Sequence, residues 1–144
     1  MTALAANRAL PDTKQLDNVQ GGMVIDYAVQ SAEIIYAGAF VKVDSTGYIA
    51  AAGGTDTVKC VGVAQEKADN SAGANGAKTA PVLVGAVIDH AVTGATVASI
   101  GSKVYAKDDQ TLTMTSTSHN VLGYFIQLTG AAKGLIKCAW PGQA

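Results

Sequence analysis

From Met23 onward the chain is a succession of short runs rich in Val, Ile, Thr and Tyr, each closed by Gly, Ser, Asp or Asn. In the first run Met23, Ile25, Tyr27 and Val29 fall on one side and Asp26 on the other, the period of two that marks a strand. Further strands are expected at 39–43, 48–52, 58–65, 79–92, 102–106, 111–115, 120–128 and 134–140. Runs this short, at this spacing, specify an all-β chain folded as a compact β-sandwich or barrel-like domain. A short helix fits at 28–36 or in the 65–72 region, but neither stretch carries good caps.

Residues 1–22 show neither period. Pro11 interrupts them and Gly21-Gly22 closes them, so they read as an extended N-terminal arm ahead of a single β-domain over 23–144. Leu4, Leu10, Leu16 and Val19 are spaced to anchor on another surface, with Arg8, Asp12, Lys14 and Asp17 between them. An arm of this kind stands apart from the core, and its removal is expected to leave the melting of the domain nearly unchanged.

The segment "AGAFVKVDSTGYIA" (37–50) aligns without gaps on "IGSKVYAKDDQTLT" (100–113), matching Gly38 with Gly101, Val41 with Val104 and Ile49 with Leu112. After a small change of spacing "CVGVAQ" (60–65) resembles "VLGYFIQ" (121–127). Each copy reads as a hairpin followed by a strand. The echo suggests an internal duplication, with chance similarity between two hairpins as the alternative.

Composition narrows the function classes. At 144 residues the chain can bury a core without disulfides or metal. Charged residues are only 15%, against about 25% in typical soluble domains, which suggests a surface partly covered by partners. Lys+Arg number 10 against Asp+Glu 11, with Arg8 the sole arginine, so the basic face that nucleic acid requires is missing. The longest apolar stretch, 80–88, is too short for a membrane span. The first residues lack a basic region ahead of an apolar core, so synthesis and retention in the cytosol are expected.

Candidate chemistry is sparse. Asp108 and Asp109 are adjacent, so on a strand their side chains would diverge, and the pair reads as hairpin punctuation tolerant of amide substitution at under about 1 kcal/mol. "GANGAKTA" (73–80) is not a phosphate loop, because Ala77 separates Gly76 from Lys78 and a strand follows. Asp89 and His90 point opposite ways on a strand and read as a solvent-facing polar pair, while His119 reads as a loop cap. Cys60 and Cys138 lie in strand-like runs; they can pair in space, but small core residues in a reducing compartment is the preferred reading. No catalytic set, cofactor site or metal site emerges.

Taken in order, the arm, "AGAFVKVDSTGYI", "CVGVAQ", "VGAVIDHAV", "GSKVYAKDDQTLTMTS", "VLGYFIQL" and "GLIKCAW" resemble the capsid decoration, or head-stabilisation, proteins of tailed double-stranded DNA bacteriophages, over roughly residues 23–140. The resemblance implies a non-enzymatic cement protein on the outer surface of the expanded capsid, made in the host cytoplasm. It also implies a homotrimer that bridges subunits of the major capsid protein. Leu4, Arg8, Leu10, Leu16 and Val19 would then form a capsid-binding arm. A β-sandwich ligand-binding or adhesin-like module is the alternative, and it would want an aromatic platform that the single Trp and scattered Tyr do not supply.

Overall fold

A computed structural model describes residues 3–10, 22–54, 58–117 and 119–139, with the backbone of 12–14. Its strands are β1 (Asp12–Lys14), β2 (Met23–Ala28), β3 (Glu33–Ile35), β4 (Phe40–Val43), β5 (Ile49–Ala51), β6 (Cys60–Ala64), β7 (Ala68–Asn70), β8 (Thr79–Val84), β9 (Val87–Thr93), β10 (Lys103–Ala106), β11 (Leu112–Thr113), β12 (Asn120–Gly130) and β13 (Lys133–Cys138). The all-β expectation holds. The run 79–92 is two strands, broken at Gly85, whose φ of +69° suits glycine, and its two pieces serve different sheets. Both stretches offered to a helix contain strands: β3 and β7 pair antiparallel from Glu33↔Asn70 to Ile35↔Ala68. The β-branched Ile34-Ile35 favours extended backbone. Asn70 Nδ2 fixes the pairing by donating to the carbonyls of Val29 (3.2 Å), Gln30 (2.9 Å) and Ala74 (2.9 Å).

The duplication relates the two five-stranded rings of the domain. One sheet has the order β2-β8-β6-β4-β5 and is closed by a parallel bridge between Val29 and Ile49. In the other, β9-β11-β10-β12-β13 closes because β13 also pairs with β9, and here the parallel contact is Val92 with Leu112. Aligned residues make the same bonds: Asp44 N to Tyr48 O (2.9 Å) matches Lys107 N to Thr111 O (2.9 Å), and Gly38 N to Ala64 O (2.8 Å) matches Gly101 N to Phe125 O (2.8 Å). A bulge follows Val41 in the first ring and Val104 in the second, each opposite a glycine, Gly62 or Gly123. The repeat includes a segment that the hairpin echo does not reach. "VIDYAV" (24–29) and "VIDHAV" (87–92) differ only at Tyr27 against His90.

Each ring encloses its own apolar set. Val29, Val41, Ile49, Val61, Val82 and Val84 fill the first, and their counterparts Val92, Val104, Leu112, Leu122, Ile136 and Cys138 fill the second. Full burial contributes about 1.5–3 kcal/mol for each larger aliphatic side chain. Phe40, Cys60 and Val63 from first-ring strands, with Ala52 just past the end of β5, join the second ring's cluster, which makes the contact between the rings a continuous core. This is why β6 is buried along its whole length.

Two tests follow. A Cβ on Gly62 would collide with the Leu83 carbonyl and one on Gly123 with that of Lys137, whereas at Gly130 the nearest atom, Lys133 Cβ, is 3.9 Å away. Gly62→Ala and Gly123→Ala should each cost about 2–3 kcal/mol in urea unfolding, and Gly130→Ala under about 1 kcal/mol. Cys60 and Cys138 are free and buried, and burial pushes the Cys138 thiol up to about 12. Neither thiol should react with a disulfide reagent at pH 8 until denaturant is added.

Candidate functional site

The N-terminal segment 3–10 lies across the seam between the rings. Its backbone is fixed at both ends: Leu4 N donates to Asp109 Oδ1 (2.9 Å), and Arg8 N donates to the Ala37 carbonyl (3.1 Å). Asn7 Oδ1 accepts from Ala37 N at 3.0 Å. Leu4 packs, half-buried, against the first-ring cluster. Further along, β1 adds outside β9, with Asp12 opposite Asp89, Thr13 opposite Ile88 and Lys14 opposite Val87.

Arg8 is the clasp. Its Nε donates to the Gly38 carbonyl (2.8 Å), its Nη1 meets His90 Nε2 (3.1 Å), and the guanidinium lies 5.2 Å from the centre of the Phe40 ring. His90 stands edge-on to Phe40 with ring centroids 5.1 Å apart. The tautomer follows from the partners: His90 Nδ1 lies 2.7 Å from the Ala91 carbonyl and must donate to it, which leaves Nε2 bare to accept from Arg8. Burial lowers the Arg8 pKa, and the charges of Asp109 and Asp108 oppose that shift. Burial likewise holds His90 below its ordinary 6.5 and raises Asp109 above 3.8.

Two sequence readings are corrected here. The Asp108-Asp109 stretch is a turn, since Asp108 Oδ1 accepts from Gln110 N at 3.0 Å, but it is not a solvated one. Asp109 is 2% exposed and Asp108 8%, because the N-terminal segment and the first ring close over them, and Asp109 O accepts from Phe40 N at 2.9 Å. His90 is half-buried rather than solvent-facing. Asp89 does point away from it, accepting from Thr129 Oγ1 at 2.9 Å. His119 is half-buried, and its Nδ1 has no hydrogen-bond partner. Lys78 ends a loop that leads into β8, so no helix N-terminus stands there to receive a phosphate.

Of the arm residues singled out by sequence, Leu4 and Arg8 are brought together on the seam, Leu10 is 44% exposed, and Leu16 and Val19 lie outside the described residues. Gly38, Phe40, His90 and Asp109 complete the clasp without having been foreseen. The one available signal was His90 replacing Tyr27 in the repeated "VID-x-AV". A cavity of about 490 Å³ opens beside the segment, lined by Ala3, Lys42, Gly53, Gly54, Lys107 and Asp108 among others. Among the described residues no group of three or more His, Cys, Asp or Glu could hold a metal, and no helix is long and apolar enough to cross a membrane.

The clasp makes the N-terminal segment part of the stability of the domain. Arg8→Ala should cost about 1–3 kcal/mol, and Asp109→Ala should cost more than Asp109→Asn, which keeps an acceptor for Leu4 N. For His90 the depressed folded pKa means that the unfolded chain takes up the proton first. Its contribution is complete above 6.5 and is lost as pH falls through the folded value. Asp109 acts oppositely, adding stability as pH falls through its raised value toward 3.8. In the Asp109→Asn background, urea midpoints should therefore fall between pH 7.5 and 5, and His90→Gln should remove that fall.

A family profile described as phage cement protein matches residues 19–139, which takes in both rings. No curated protein and no solved structure matches the chain. Cement proteins are structural proteins of the phage capsid that stabilise it through contacts with capsid proteins. The duplicated β-domain belongs to the phage cement protein family.

Proposed function

We propose that this protein coats the outer surface of the expanded phage head and cements neighbouring subunits of the major capsid protein. The family match over 19–139 carries the reading. Large apolar side chains left in solvent support it: Leu10, Met23, Val24, Val97 and Ile100 are all at least 44% exposed on a chain whose charged fraction is 15%. A protein that binds only the assembled lattice stabilises that lattice by linkage, by an amount that grows with the logarithm of its concentration relative to the dissociation constant. In this reading its partners are the major capsid protein and, within a homotrimer, further copies of itself, with neither nucleic acid nor membrane engaged. It works on the virion surface after synthesis in the host cytoplasm and performs no catalysis.

The arm keeps a place in this reading, with its parts divided. Leu4 and Arg8 seat it on its own domain, while Leu10, Leu16 and Val19 are the proposed capsid contacts. Trimer avidity over many equivalent sites would multiply weak individual contacts.

Purified protein should co-sediment saturably with expanded heads that lack it and raise their melting temperature. Deleting residues 2–20 should weaken that binding and also lower the melting temperature of the free protein, because the Arg8 clasp is lost. Absence of binding to heads would overturn the function, and a purely monomeric protein both at sedimentation equilibrium and on virions would overturn the trimer.

A further inference from the structure

The two rings present the same strand in two different states. In the second ring, the outer edge of β9 is occupied: β1 lies antiparallel along it and pairs with Val87, Ile88 and Asp89. The counterpart residues in the first ring are Val24, Ile25 and Asp26, identical in type. There β2 has β8 on one side, and along Met23–Ala28 no strand among the described residues lies on the other. Exposure records the difference. Val87, opposite Lys14 of β1, is 2% exposed, whereas its counterpart Val24 is 54% exposed.

We propose that the open edge of β2 over Met23–Asp26 is a docking strand that takes up an extended segment of a capsid subunit by β-augmentation. The proposal rests on the cement reading above. β1 on β9 shows the form of the occupant, an antiparallel strand of at least three residues, because the same Val-Ile-Asp edge already accepts one. An unpaired edge bearing exposed apolar side chains is otherwise an aggregation liability that proteins cover or blunt.

The arithmetic of arms and edges argues that the occupant comes from outside. Among the described residues there are two such edges and one strand from the arm, Asp12–Lys14, and that strand is engaged on β9. An arm donated by a second copy would have to leave its own β9, uncovering one Val87 for each Val24 it covers, with no net gain in burial. A capsid segment fills the vacant edge without vacating another. It should carry apolar side chains opposite Met23 and Val24, one on each face of the strand, and a cation opposite the exposed Asp26, since opposite charges across paired strands are favourable.

The test uses the full chain and expanded heads lacking it. Val24→Lys lies on an exposed position and should leave the melting temperature unchanged while weakening co-sedimentation at least tenfold. Because Cys60 and Cys138 are buried, Val24→Cys supplies a single accessible thiol for a short photo-crosslinker, and Ser45→Cys, exposed in the turn between β4 and β5 and off this edge, is the control. Cross-linking to the capsid subunit from position 24 and slowed amide exchange at 24–26 on heads are expected. If wild-type protein binds heads but Val24→Lys binds equally and amide exchange at 24–26 is unaltered, the docking strand is refuted and the cement reading stands. If cross-links from position 24 join copies of this chain instead, the occupant is wrong. If wild-type protein fails to bind heads at all, both readings fall.

Discussion

A five-stranded ring encloses only a handful of side chains, and the structure depends on burying β6 on both of its faces. One face looks into the first ring through Val61, and the other sends Cys60 and Val63 into the cluster of the second. Phe40, from the neighbouring β4, extends the same contact, and its ring becomes the platform on which His90 and Arg8 meet. Core, seam and N-terminal clasp are thus layers around one double-sided strand. Glycine at 62 and at 123 is required because the neighbouring strands approach there more closely than any Cβ permits.

Much of this was legible in the sequence wherever the determinant is local. Period-two runs and turn residues mark the strands, and the gapless match of 37–50 on 100–113 marks two hairpins whose bonds coincide residue for residue. The full extent of the duplication stayed hidden because 79–92 reads as one apolar run, and only the break at Gly85 places "VIDHAV" at the start of a second unit. Burial of Asp109 and His90 was not legible at all. An acidic pair between strands looks the same whether water or a segment some hundred residues distant covers it, and Leu4 bonding Asp109 is a tertiary fact. The helix readings at 28–36 and 65–72 failed for a related reason, since β3 and β7 exist through pairing with each other.

The N-terminal segment changes character between the two descriptions. By periodicity it is a loose arm, yet a single arginine gives it four kinds of attachment: a backbone donor, a carbonyl acceptor, an imidazole acceptor and an aromatic face. Under the function proposed above, a segment held at Arg8 would start its search for a capsid contact from a fixed point, so less ordering entropy would be lost on binding than for a free tail.

The near-identity of "VIDYAV" and "VIDHAV" also bears on how the chain reaches its native state. Most of its contacts are between residues distant in sequence, so folding must select among long-range pairings, and two interchangeable strands give it a competing solution in which β2 and β9 exchange rings. Local pattern cannot break that tie. The bias comes from connection length: β12 reaches β13 through a tight turn while β6 reaches β8 through the long 65–78 connection, which carries β7. A second bias comes from position 90, where imidazole, and not the phenol of Tyr27, faces Arg8. A duplicated fold is in this sense a kinetic problem that its two halves solve by their differences.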